Sequence, residues 1–161
     1  MKKILFVCMG NICRSPLAEG LFLHLARERG IGDRFEVDSA GTGDWHVGRF
    51  ADPRSQAVAS ANGIKLLSRA RQVEAPEDFE TYDLIVAMDR ANRRDLRELS
   101  DEEHHGKIRL MREWDPENTE EHPEVPDPYY GGPQGFEDMY AMLKRSCEAL
   151  LDELEGQARS S

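Results

Sequence analysis

Apolar residues recur along the chain in two rhythms. The first is a short dense run, Ile-Leu-Phe-Val at residues 4–7, that closes on Cys8. Its β-branched and aromatic content predicts a buried strand. Residues 34–39 alternate, and residues 82–87 and 107–111 form two further short apolar segments. Each reads as a strand. The second rhythm has helical spacing. Leu17, Leu21, Phe22 and Leu25 follow Ser15-Pro16, which places Pro16 at the first helical position and Gly30 at the C-cap. Asp52-Pro53 opens a helix with Ala57, Val58 and Ala61 on its inner face, and Gly63 closes it with Ile64 behind. Asp89 is the expected N-cap of a helix that turns Leu96 and Leu99 inward. Phe136, Tyr140, Leu143, Cys147, Leu150, Leu151 and Leu154 form the stripe of a long last helix.

Strands alternating with helices predict an α/β fold, a parallel sheet with helices on both faces. No repeat or linker interrupts the pattern. Residues 1–156 are therefore expected to form one domain, and residues 157–161 a frayed tail. Residues 113–128 carry neither rhythm and are expected to be irregular. They hold seven acidic residues and no Lys or Arg, which reads first as a solvated acidic loop and second as a source of preference for substrates with basic flanks.

The net charge of −10 argues against general binding to nucleic acid or anionic membrane, since both need clustered Lys and Arg. A phosphate site in so acidic a chain must be local, built from backbone dipoles and one or two arginines. No apolar run is long enough for a signal-peptide core or a membrane span. Three cysteines without an export signal point to reduced thiols and a cytoplasmic location. The adjacent pair His104-His105 cannot share a helix face, so no metal site is expected.

The chemistry concentrates in Cys8-Met9-Gly10-Asn11-Ile12-Cys13-Arg14-Ser15-Pro16. Cys8 falls at the carboxyl end of a strand, where open α/β sheets bind ligands. Only five residues separate it from Arg14, so the loop must curl, and Gly10 is expected to permit the turn. The N–H groups of Met9, Gly10, Asn11, Ile12 and Cys13 would then converge on a tetrahedral oxyanion, reinforced by the helix N-terminus. Cys8 would lie beneath that anion as a thiolate. Arg14 supplies the forked guanidinium that matches two phosphate oxygens. Asn11 is suited to a left-handed conformation.

This stretch closely resembles the signature of the low-molecular-weight protein tyrosine phosphatases. Further resemblances run through Val37-Asp38-Ser39-Ala40-Gly41-Thr42, Ala70-Arg71-Gln72 before a short helix near Pro76, and Ala87-Met88-Asp89. The most specific is Asp127-Pro128-Tyr129-Tyr130-Gly131-Gly132, similar to the family's Asp-Pro loop. The resemblance covers nearly the whole chain. It implies a four-stranded parallel sheet of flavodoxin-like architecture with the active site at the strands' carboxyl ends. It further implies a metal-independent, cofactor-free phosphohydrolase working through a phosphocysteine. Cys8 would be nucleophile, Arg14 and the loop N–H groups would stabilise the phosphoryl oxygens, and Asp127 would be acid and then base.

By the same resemblance, Ser15 donates its hydroxyl to the Cys8 thiolate and also serves as N-cap, while Asn11 and Ser39 brace the loop. Trp45 and Tyr129 wall a cleft deep enough to favour phosphotyrosine. Asn62 and Arg69 stand where the family often has histidine, which alters the outer bracing. Cys13 is placed to pair reversibly with Cys8 under peroxide, and Cys147 is inert. The implied partners are tyrosine-phosphorylated proteins, a tyrosine kinase among the candidates, and small aryl phosphates, with phosphate-like oxyanions as inhibitors. Two alternatives share the fold. An arsenate reductase needs relay cysteines, and only the inward-facing Cys147 is available. Protein arginine phosphatases carry Thr where Ile12 stands and Phe in place of the paired tyrosines. A non-catalytic phosphotyrosine-binding module would have lost Cys8, Arg14 or Asp127, and all three are present.

Overall fold

A computed structural model of the chain describes residues 1–129 and 132–160. The Tyr130, Gly131 and Ser161 of the sequence reading lie outside the described residues. Four strands, β1 (Lys2–Cys8), β2 (Phe35–Gly41), β3 (Leu84–Ala87) and β4 (Ile108–Leu110), form one parallel sheet in the order β2-β1-β3-β4. The helices are α1 (Arg14–Glu28), α2 (Pro53–Ser60), α3 (Glu77–Thr81), α4 (Arg90–Leu99) and α5 (Pro133–Ser160).

The alternation along β1 sorts the core into two layers. Ile4, Phe6 and Cys8 face a cluster with Leu17, Leu21 and Phe22 of α1 and Leu143, Cys147 and Leu150 of α5. Leu5 and Val7 face the other cluster, with Phe79 of α3, Leu96 of α4, and Ile85 and Ala87 of β3. Successive strand side chains point to opposite faces, so a strand apolar at every position has both faces covered. This explains why residues 4–7 read as a continuous run. It also fixes the site, because β1 is central and its carboxyl end sits between the exits of β2 and β3. Cys8 pairs with Gly41, and Val7 with Ala87.

Several local expectations hold. Gly30 and Gly63 take φ of 75° and 76° behind α1 and α2. Asp52 caps α2 by accepting the Arg54 N–H, and Asp89 caps α4 in a reciprocal pair with Asn92. Others need correction. The first helix opens at Arg14, with Cys13 as N-cap, so Pro16 is inside the first turn and Ser15 is not the cap. Proline is tolerated throughout that turn because its N–H groups have no intrahelical acceptor. The second helix buries Ser55 and Ala59 rather than Ala57 and Ala61. Leu99 ends α4 exposed, and only Leu96 is buried. None of the described helices is long and apolar enough to cross a membrane.

Candidate active site

The loop from Cys8 to Arg14 is shaped by what holds its carbonyls. Thr42 N–H donates to Cys8 O, Gly43 N–H to Met9 O and Asp52 N–H to Ile12 O, at 2.8–2.9 Å. The Ser55 hydroxyl donates to Cys13 O at 3.2 Å. Every one of these carbonyls is turned outward, toward the β2 exit or the start of α2. The loop N–H groups are left facing the other way. That of Asn11 donates to Cys8 Sγ at 3.3 Å. Those of Gly10, Ile12 and Cys13 make no hydrogen bond with a described residue. Such inward N–H groups at a helix N-terminus form an anion nest.

The turn that makes this possible falls on Asn11, at φ 57°, and not on Gly10, whose φ is not positive. Asn11 suits the left-handed region because its side chain finds local partners. Its Nδ2 donates to Ser15 Oγ at 2.8 Å, and its Oδ1 accepts the Arg71 N–H at 3.0 Å. Gly10 serves close packing instead, since a Cβ there would sit 3.0 Å from His46 Cδ2. Gly41 is needed for the same reason: a Cβ would come within 2.7 Å of Met9 O. The β2 exit can therefore run directly beneath the loop.

Cys8 is buried, and Ser15 Oγ lies 3.0 Å from its Sγ. The Asn11 amide donates to that same Oγ, so the Ser15 proton is free to point at sulfur. Two donors thus converge on Cys8 Sγ. Arg14 is buried with them. Its Nη1 donates to Asp89 Oδ2 at 2.6 Å and Val125 O at 3.1 Å, and its Nη2 lies 3.7 Å from Asp127 Oδ2. Burial works against the guanidinium charge, but Cys8, Asp89 and Asp127 together outweigh it and raise its pKa above the ordinary value. Cys13 differs: burial first, then Asp52 and Cys8, push its thiol up to about 12. Cys147, wholly buried beside α1, is likewise pushed up by desolvation.

Asp127 sits at the mouth of a cleft of roughly 360 Å³ floored by Cys8 and Arg14 and lined by Ile12, Trp45 and Tyr129. Its Oδ1 accepts the Tyr129 N–H at 3.0 Å, which orients the carboxylate. Trp45 is 68% exposed, so it can only be a rim. A larger cleft, of roughly 660 Å³, lies at the opposite end of the sheet between Met1, Phe35 and Leu154, far from these groups.

Of the sequence-expected site residues that the structure describes, the cleft gathers Cys8, Met9, Gly10, Ile12, Cys13, Arg14, Trp45, Asp127 and Tyr129. Asn11 and Ser15 lie behind it. Ser39 does not brace the loop. Its hydroxyl donates to Glu19 of α1 at 2.6 Å, where burial raises the Glu19 pKa. Asn62 caps α2 locally through Val58 O, and the Arg69 guanidinium stacks on Phe50. Three contributors carry no local sequence signal. Asp89 reads as an N-cap and as the end of the Ala87-Met88-Asp89 resemblance, yet it also anchors Arg14. His46 lines the cleft beside Tyr129. Arg54 pairs with Asp52 and stacks on Tyr129 and Phe136.

The acidic segment is also held from within. Arg112, buried, donates to Asp115 and to the carbonyls of Glu117, His122 and Glu124. Arg145 pairs with Asp115 and Glu117, Arg109 with Glu113, and Arg90 with Glu124. With Asp127 beside Arg14, five of its seven carboxylates are thus partnered by cations. This pairing offsets much of the negative charge on which a preference for basic flanks would rest.

A buried cysteine at a strand end, under an N–H nest and beside a buried arginine, defines a site for nucleophilic attack on a bound oxyanion. Residues 3–160 match the family described as low molecular weight phosphotyrosine protein phosphatase. The chain belongs to that family. It is 44% identical over 161 residues to a low molecular weight protein-tyrosine-phosphatase of Streptomyces coelicolor, covering 97% of this chain and 98% of that one. Among solved structures, a protein tyrosine phosphatase of Entamoeba histolytica superposes with a TM-score of 0.92 at 37% identity, covering 98% and 99% of the two chains. An arginine phosphatase of Drosophila does so with a TM-score of 0.87 at 35% identity, covering 96% and 98%.

Proposed function

We propose that the protein hydrolyses phosphotyrosine in proteins, and small aryl phosphates, through a phosphocysteine at Cys8. The observation that carries this is the outward locking of four loop carbonyls around a buried Cys8 that already receives two hydrogen bonds. The Cys8 thiolate attacks phosphorus. A sulfur–phosphorus bond forms as the bond to the phenolic oxygen breaks. The loop N–H groups and Arg14 hold the equatorial oxygens while charge redistributes. Asp127, at the cleft mouth, gives its proton to the departing phenolate, then takes one from the water that hydrolyses the phosphocysteine. The Ser15 hydroxyl stabilises the returning thiolate, and phosphate leaves.

The cleft walls support an aryl substrate. Ile12 presents only methyl and methylene groups to it and cannot hydrogen-bond a phosphoguanidine. Tyr129, stacked on Arg54, provides a flat face. Tyrosine-phosphorylated proteins are the proposed partners, in a compartment that keeps Cys8 reduced, such as the cytoplasm. Phosphate-like oxyanions are the proposed inhibitors. The test compares phosphotyrosine and phosphoarginine peptides of one sequence, in EDTA and reductant. Phosphotyrosine turnover at least tenfold faster is expected. Preferential release from phosphoarginine would favour the activity named for the Drosophila neighbour.

A further inference from the structure

The helix α4 carries Arg90, Arg93, Arg94 and Arg97, spaced i, i+3, i+4 and i+7, so all four share one face. With Glu98 and His105 they line a shallow cleft of roughly 350 Å³. In a chain of net charge −10 this is a local reversal of sign. Two of the four are engaged: Arg90 with Glu124, and Arg94 with its neighbour Asp95 at 3.8 Å. Arg93 and Arg97 make no ion pair with a described residue. The catalytic chemistry uses none of them.

The stripe starts at the active site. Asp89, the residue before Arg90, is the carboxylate that anchors Arg14 at the cleft floor. From there the helix leads away from the cleft. Seven residues at 1.5 Å each give a stripe of about 10 Å, which an extended peptide covers with about three residues. Guanidinium forks match carboxylates two oxygens at a time. The size excludes a long polyanion, whose binding neutralises many phosphates in a row.

We propose that this face of α4 docks an acidic stretch, Asp or Glu residues, of the phosphoprotein substrate whose phosphotyrosine occupies the cleft. The inference rests on the phosphotyrosine reading above and names a substrate class for it. Tethering through one chain raises the effective concentration of the acidic stretch at the stripe. Exposed ion pairs are individually weak, so two of them give a preference of about three- to tenfold at low salt.

The test measures kcat/KM at low ionic strength for three phosphotyrosine peptides. They carry Asp/Glu, Asn/Gln or Lys at about three to six residues from the phosphotyrosine, the reach of an extended chain over 10–20 Å. The wild type is expected to favour the acidic peptide three- to tenfold, mainly through KM, with the preference fading as salt is raised. Arg93→Gln/Arg97→Gln should abolish it while p-nitrophenyl phosphate turnover stays unchanged. Should that variant fold poorly, Arg97→Glu alone should reverse the preference. Equal rates on the three peptides, or an undiminished acidic preference in the variants, overturn the proposal. Absence of turnover on every phosphotyrosine peptide would instead refute the phosphotyrosine reading itself. Loss of binding to RNA or to anionic vesicles in the double variant, without loss of peptide preference, would assign the face to another partner and overturn it too.

Discussion

Replacing Asn11 by Ala tests whether the active loop is pre-shaped by one residue. Asn11 is buried, sits at φ 57°, and bridges the Ser15 hydroxyl and the Arg71 N–H. The substitution removes two buried hydrogen bonds, each worth about 1 kcal/mol net. It also puts a Cβ without a local partner into the left-handed region, at a further cost of about 1 kcal/mol. The sum is a destabilisation of about 3 kcal/mol, read as a lower urea midpoint at unchanged slope. Asn11→Gly loses the same two hydrogen bonds but relieves the backbone, so it should recover about 1 kcal/mol of that. Neither variant can hold the Ser15 hydroxyl toward Cys8. Both should therefore lose ten- to hundredfold in kcat on p-nitrophenyl phosphate, as displacements of about 1 Å do elsewhere. An Ala variant within 0.5 kcal/mol of wild type, or with kcat within twofold, refutes the reasoning. Equal stability of the Ala and Gly variants refutes the backbone part of it.

Asp89→Ala should lower kcat/KM on p-nitrophenyl phosphate by about tenfold or more, because Arg14 loses its shortest partner and is free to swing from the cleft floor. Native protein treated with iodoacetamide near pH 8 should take up one carbamidomethyl group, at Cys8, by mass spectrometry. Cys13, pushed up to about 12, stays a protonated thiol there, and inorganic phosphate should slow the reaction at Cys8. Asp115 is desolvated, but Arg145, the Glu117 N–H and Arg112 outweigh that and hold its carboxyl below the usual range. A depressed value in the folded state means its stabilisation is complete above about pH 4 and is lost as pH falls through the folded value. Asp115→Asn should therefore cost about 3 kcal/mol at pH 7, with wild type and variant converging in acid by thermal unfolding.

The strands, the parallel sheet and the loop chemistry were legible because they depend on neighbours in sequence. A short run apolar at every position, β-branched and aromatic and stopped by a loop, reads as a strand covered on both faces, and Cys8, Asn11 and Arg14 lie within seven residues of chain. What was not legible depends on distant pairing. Nothing near Asp89 signals that its carboxylate reaches Arg14, and nothing near Arg112 signals that it gathers carbonyls from Glu117 to Glu124. The pairing within the acidic segment was hidden for that reason, since Arg109 of β4, Arg90 of α4 and Arg145 of α5 all reach it. The phase of α2 failed because its small residues give almost no periodic contrast, and Ser55 is buried to hold a loop carbonyl. The left-handed conformation expected of Asn11 is present, but Gly10 does not share the turn, because the bonds to Ser15 and Arg71 fix it at Asn11 alone.

The decisive experiment is to quench p-nitrophenyl phosphate turnover rapidly in acid and map phosphate onto peptides by mass spectrometry. Wild type and Asp127→Ala should both show phosphate on the peptide containing Cys8. Cys8→Ser should show none there and no turnover. Normal turnover in Cys8→Ser, or turnover in wild type with phosphate never found on Cys8, would contradict the phosphocysteine mechanism.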